Sequence, residues 1–280
     1  MIPEVLAAPV ALAAVLLGYQ VNHRLVGFLP DDPPRPGRKQ HERPMPLAGI
    51  LLLPATLPWL LWSGLWWLAG AVTLAAVLGF VDDRGKEHGR DLDWRLKTIA
   101  LLAAAALAAW PLGDPLADPL RAGVAVLLLF VLCNATNFLD NTDGVAAALS
   151  AVSILFATGG TGPLAAGGYA AVGILVCNWP RPLVFLGDAG AYLLGLWAAA
   201  ALLQAPTPHG DEWLRLLPAA VQLADFVQVV IARLVLGVAP WIGDRRHLTH
   251  IVQNLGLPRW LVAPLFAAVA AVLALAGSAL

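Results

Sequence analysis

Apolar residues fall along this chain in long blocks, and polar residues gather in short clusters between them. Ten blocks read as helices: residues 3–22, 46–62, 64–81, 96–111, 120–136, 144–160, 163–178, 189–204, 213–236 and 259–279. A helix that crosses a bilayer needs about 20 predominantly apolar residues. Several blocks sit at the short limit, notably beside Ser63-Gly64 and Gly159-Gly160, so those two turns have to be tight. The ninth block carries Asp225 and Arg233, which marks it as bent or broken. The first has Glu4 and no basic run before it, so it reads as a retained helix, not a cleaved signal. The pattern predicts an all-α integral membrane bundle of ten transmembrane helices, with residues 1–280 as a single polytopic domain.

Composition narrows the class. The chain is 59% hydrophobic and 12% charged, against about 25% charged in a soluble domain. Nothing in its charge balance of −1 points to nucleic acid. Cys133 and Cys177 lie near the ends of apolar blocks and read as small buried residues, not a disulfide framework. The distribution of charge is more informative than its sum. Fifteen of the 17 Lys and Arg residues fall in or beside the odd-numbered loops, and only Arg121 and Arg215 on the other side. Basic residues mark the cytoplasmic side, so the odd loops are expected in the cytoplasm and both termini outside. On the opposite side Asp114, Asp118, His209, Asp211 and Glu212 read as a solvated rim.

Five polar clusters share the basic side. Asp82-Asp83 follows the third block and precedes Arg84, Lys86 and Lys97. Adjacent carboxylates repel, so they persist best beside a cation; a metal or diphosphate site and an ordinary charged helix end both fit. Asn134, Asn137, Asp140, Asn141 and Asp143 run up to Gly144, supplying hard oxygens and amides for Mg²⁺, phosphate or a base edge, or else turn and cap chemistry. Asn178 to Asp188 brings Phe185, a ring able to stack a nucleobase, three residues before an acid that begins the next helix. Asp244 to His250 holds Arg245, Arg246, His247 and His250, suited to phosphate recognition. Arg38 to Pro46, with Lys39 and His41, is basic and reads equally as a topology signal. Together the clusters fit one site for a polyanionic, water-soluble substrate, Mg²⁺ and a lipid partner.

Four of these motifs, in order and at suitable spacing, carry a resemblance. Asp82-Asp83, the Asn-x-x-Asn-x-x-Asp-x-x-Asp-Gly run of 134–144, Phe-Leu-Gly-Asp at 185–188 and His-Leu-Thr-His at 247–250 resemble the polyprenyl-phosphate N-acetylhexosamine-1-phosphate transferases, glycosyltransferase family 4. The resemblance implies transfer of a sugar 1-phosphate from a UDP-N-acetylhexosamine to a polyprenyl phosphate, with release of UMP, as a first membrane step towards an envelope glycan. It implies Mg²⁺, with Mn²⁺ as a substitute, a plasma-membrane location with the site on the cytoplasmic face, and a lean towards a homodimer. Asp82, Asp83, Lys97, His247 and His250 then resemble the catalytic set. Asn137, Asp140, Asp143, Asn178, Phe185, Arg245 and Arg246 resemble the substrate-binding set, and Asp188 the metal ligand.

Three positions depart from the family pattern. Asn141 stands where Gly is usual, Thr249 where a third histidine is frequent, and Glu42 where some members have lysine. These departures, with the lack of a triple histidine, look more like the UDP-N-acetylglucosamine branch than the phospho-N-acetylmuramoyl-pentapeptide branch, which is the alternative. A secondary transporter would place acids at mid-membrane and show a repeated half; neither is visible. The stretch 140–157 lacks the Arg and the second Gly that CDP-alcohol phosphotransferases require, having Ala148 and Ala157 instead.

Overall fold

The structure is a computed structural model that describes residues 3–24, 27–34, 44–112, 116–206 and 211–279. Arg35, Arg38, Lys39, His41, Glu42, Arg43, Asp114 and His209 lie outside them. Each of the ten apolar blocks holds one helix: α1 (Ala7–Arg24), α2 (Leu52–Trp62), α3 (Trp66–Glu87), α4 (Trp94–Ala109), α5 (Pro119–Leu139), α6 (Val145–Thr158), α7 (Ala165–Asn178), α8 (Gly187–Gln204), α9 (Ala220–Val235) and α11 (Arg259–Ala279). A further short helix, α10 (Leu248–Asn254), grows from the histidine cluster. A two-residue pairing joins β1 (Asp31–Asp32) to β2 (Met45–Pro46), antiparallel, with Asp31 opposite Pro46. Six helical stretches, Glu4–Arg24, Trp66–Glu87, Trp94–Leu112, Pro119–Leu139, Leu214–Val235 and Arg259–Ala279, are long and apolar enough to cross a membrane. Gly49–Trp62, α6 and α7 are apolar but shorter.

The bundle is built round α8. From Gly187 to Leu202 every residue except Asp188 is buried, which is what a helix apolar on all sides requires. Helices α3, α5 and α6 pack along it; α7 packs on α6 and α1, and α11 on α6. The ninth block is broken as expected, but by Pro218: a 3₁₀ segment, Leu214–Ala219, feeds α9.

Tryptophans mark the two ends. Trp62, Trp66, Trp67, Trp110 and Trp213 are exposed at one end, where the Trp67 and Trp110 rings lie 5.8 Å apart. Trp94, Trp241 and Trp260 are exposed at the other, and Trp94 stacks on Trp241 at 4.1 Å. Paired aromatic belts are the signature of two membrane–water boundaries.

Helix α3 runs six residues past the end that its hydropathy predicts, Val81. Its buried face reads Leu68, Val72, Ala75, Ala76, Gly79, Asp82 and Asp83, one continuous stripe at helical spacing. The two acids therefore sit on the face turned to the core, not in a loop beyond the helix. Gly79 lets them approach α8, because a Cβ there would land on the backbone of Asp188 and Ala189. Gly123, within α5, has open space around it. We predict opposite signs for two alanine substitutions, measured by thermal unfolding in detergent. Gly79→Ala loses about 1–3 kcal/mol through overpacking, whereas Gly123→Ala holds or gains up to about 1 kcal/mol of helix propensity.

Candidate active site

The end of α3 meets the start of α8. The first backbone N–H groups of a helix have no partner inside it, and Asp83 supplies one from another helix. Its Oδ1 accepts from the N–H of Asp188 and its Oδ2 from the N–H of Ala189, both at 3.2 Å. Gly187 turns the chain into α8 with φ of 70°, and a Cβ there would stand 2.7 Å from Asp83 Oδ2. Only glycine takes that conformation without strain and leaves that space.

Around this joint the charges interlock. Lys86 Nζ lies 2.8 Å from Asp82 Oδ2 and 2.6 Å from Asp188 Oδ2. Lys97 Nζ lies 2.7 Å from Asp82 Oδ2, and the Leu92 N–H donates to Asp82 Oδ1 at 2.9 Å. Asn137 Nδ2 donates to Asp188 Oδ1 at 2.9 Å. Three carboxyl groups and two lysines thus share one largely buried cluster. A cavity of about 800 Å³ opens over it, lined by Asp83, Lys86, Lys97 and Asp188 among others.

The loops after α5 and after α7 form the second wall. Gly144 adopts φ of 74° and donates its N–H to Asn178 Oδ1 at 2.9 Å; Asn178 Nδ2 donates to the Val184 carbonyl at 3.0 Å. Asp143 accepts from Arg259 Nη2 at 2.7 Å. Asn141 donates to the Phe138 carbonyl, and its Oδ1 accepts from Thr142 and from Thr249. The two described departures from the family pattern, Asn141 and Thr249, are thus bonded to each other.

The third wall is the segment between α9 and α10. Buried Arg233 donates to Asp244 Oδ2 at 3.0 Å and covers the Phe138 ring at 4.9 Å. Burial acts to raise the Asp244 pKa, but hydrogen bonds from Arg233 and Arg246 outweigh it and hold the carboxyl well below the usual range. His247 faces Asp225 through Nδ1 at 2.8 Å. His250 is pushed down to about 4, by burial first and then by Arg245 and His247.

Of the residues singled out in the sequence, Asp83, Lys97, Asn137, Asp140, Asp143, Asn178, Phe185, Asp188, Arg245, His247 and His250 line this one cavity. Others are placed differently from the expectation. Asp82 is fully buried, is not among the residues lining the cavity and holds two lysines. Arg246 turns away to Asp244 at 2.6 Å. Asn178 lines the cavity, but its amide is spent bracing two loops. His250 is neutral at pH 7 and adds no positive charge. Lys86, Asp225, Arg233, Asp244 and Arg259 were not singled out as site residues. Lys86 was within reach, at i+4 from Asp82 once the helix is continued. The others find partners 11 to 116 residues away.

The apolar helical bundle carries an acid–lysine cluster at one end, and sequence comparison supplies its family. The Glycosyl transferase family 4 model matches residues 65–205, half of the chain, and the chain belongs to that family. It is 29% identical over 205 residues to the undecaprenyl-phosphate alpha-N-acetylglucosaminyl 1-phosphate transferase of Yersinia pestis, covering 64% of this chain and 55% of that one. With the protein of the same name from Escherichia coli K12 it is 29% identical over 150 residues, 48% of this chain and 41% of the relative. With that of Salmonella typhi it is 33% identical over 97 residues, 34% and 26%. The chain thus spans about half the length of the Yersinia relative. With its apolar helices, it is a multi-pass membrane protein.

Two consequences are measurable in detergent. Removing one partner of a buried ion pair leaves an uncompensated charge, so Lys86→Met should cost about 3 kcal/mol in unfolding. Lys97→Met, which among the described residues pairs only Asp82, should cost less. Above pH 6.5 the His250 imidazole is neutral folded or unfolded; between 6.5 and 4 only the unfolded chain takes up a proton there. Stability should therefore fall as pH drops through that window, and less steeply in His250→Gln.

Proposed function

We propose that this protein transfers N-acetylglucosamine 1-phosphate from UDP-N-acetylglucosamine to undecaprenyl phosphate, releasing UMP. A phosphate oxygen of the lipid attacks the sugar-bearing phosphorus. A new P–O bond forms, the bond to the bridging oxygen breaks, and its electron pair leaves on UMP. The observation that carries this reading is that one cavity has two characters. Asp83, Asp188, Lys86, Lys97, Asn137 and Asp140 line it together with the apolar Leu101, Phe130, Phe226 and Val230 from α4, α5 and α9. Helix α5 packs against both α4 and α9, and both flanking helices carry exposed apolar residues, Ile99 on α4 with Ile231 and Leu234 on α9. A water-soluble diphosphate and a lipid phosphate could meet nowhere better. The names of the relatives give the same acceptor and the same transferred group.

Lys86, Lys97 and Arg245 would screen the repulsion between two phosphate groups, supplying fixed positive charge where negative charge builds up. Phe185, partly exposed in the cavity, offers a face for uracil, and Asp140 and the Asp143–Arg259 pair offer polar edges for the nucleoside. Asp83 keeps Asp188 in place; Asp82 holds the lysines. Among the described residues no three His, Cys, Asp or Glu side chains stand ready to enclose an ion. Mg²⁺ is usually held by one or two carboxylates and completed by phosphates and water. The hard oxygens of Asp188, with Asp83 beside it, suit it. Bound there, it would polarise the phosphates and ease departure of UMP. The preponderance of basic residues on the site side supports a cytoplasmic face, with ten crossings and both termini outside as the matching topology.

The test is UMP release by purified protein given radiolabelled donors, with and without undecaprenyl phosphate. Release should require both UDP-N-acetylglucosamine and the lipid, stop with EDTA and return with Mg²⁺. In folded Asp188→Asn it should drop by about 100-fold or more. Release without lipid acceptor, or undiminished in Asp188→Asn, would overturn the reading. Equal use of the muramoyl-pentapeptide donor would move the protein to the other branch.

A further inference from the structure

The buried acid that the foregoing chemistry does not use is Asp225. It lies on α9 and is fully buried. Both of its oxygens are committed to the histidine cluster: Oδ2 lies 2.8 Å from His247 Nδ1, and Oδ1 accepts from the Leu248 N–H at 2.6 Å. A carboxylate is only an acceptor, so the proton of that contact sits on Nδ1. The other ring nitrogen, Nε2, is then the one left for the cavity that His247 lines. The Phe138 ring meets the imidazole edge-on at 5.6 Å and limits its rotation. The same carboxylate also fixes the backbone on which the ring is mounted, so His247 is held at side chain and main chain by one residue.

We infer that Asp225 is a positioning residue that acts through His247, fixing its tautomer and aim so that Nε2 meets a phosphate oxygen of the reacting pair. This rests on the transferase reading given above. Asp225 itself touches no substrate. With Nδ1 protonated, neutral His247 presents a lone pair at Nε2, and when protonated it presents an N–H donor. An oriented donor at a phosphate oxygen acts on the transition state more than on the bound donor substrate, so its loss lowers kcat and leaves the donor KM nearly unchanged.

The experiment compares Asp225→Asn, Asp225→Glu, His247→Gln and the double variant Asp225→Asn/His247→Gln by steady-state UMP release. Alongside it, ¹⁵N-histidine NMR of the wild type and Asp225→Asn is assigned through His247→Gln. Each single loss should lower kcat by about 100-fold with donor KM nearly unchanged. The double variant should stay within about twofold of His247→Gln, and Asp225→Glu should recover part of the rate. A double variant whose losses multiply, or Asp225→Asn with wild-type kcat, would overturn the inference. The NMR arm reads the same contact without turnover. Wild-type protein should show protonated Nδ1 at His247, lost or shifted in Asp225→Asn; an unprotonated Nδ1 in the wild type would overturn it. Inactivity of the wild type on every donor, with that NMR signature intact, would instead strike at the transferase reading and leave the Asp225–His247 contact standing.

Discussion

The carboxylate of Asp83 on the N-terminus of α8 is the contact on which the site depends. Two uncovered N–H groups at the start of the helix receive its oxygens, so the polar groups on both sides are satisfied where water is excluded. In return, the acid fixes where α8 begins and therefore where Asp188 points. The joint tolerates little substitution. Gly79 gives α3 its approach, and Gly187 gives the chain its turn beneath the acid. The small-residue stripe on α3 above them, Ala75 and Ala76, continues the same close packing into the core.

From that joint the two ends of the cavity take on different physical characters. At the α3–α8 end, charge is held by charge: Lys86 bridges Asp82 and Asp188, and Lys97 backs Asp82. At the loop end, amides, hydroxyls and backbone share that work with the Asp143–Arg259 and Arg233–Asp244 pairs. Asn178 ties Gly144 to Val184, Asn141 ties α5 to Thr249, and Asp225 ties α9 to the start of α10. The first arrangement suits phosphates and a divalent cation, whose charges must be offset. The second suits a nucleoside, whose polar edges need fixed partners.

Much of this was legible in the chain. Blocks of apolar residues located ten helices because hydropathy reports burial in lipid or core, and the polar clusters located the walls of the cavity. The misplacements share a cause. Hydropathy ends α3 at Val81, yet the helix continues to Glu87 because the buried stripe keeps its phase through Asp82 and Asp83; extending the periodicity would have brought out Lys86. Asp225 suggested a bend, while the actual break lies at Pro218 and Asp225 serves a histidine 22 residues on. Asn141 and Thr249 each look like a lone departure, and only the fold shows that they face each other across 108 residues. Pairing between loops is set by tertiary packing, and no local pattern encodes it.

The most direct measurement is an experimental structure of the protein in a lipid nanodisc with UDP-N-acetylglucosamine and Mn²⁺, the ion located by its anomalous signal or its density. If the α3–α8 joint is the reaction centre, the diphosphate and the ion lie against Asp188, with Lys86 or Lys97 within hydrogen-bond reach of a phosphate oxygen and uracil against Phe185. A diphosphate seated away from Asp188, with the acid–lysine cluster undisturbed, would contradict it.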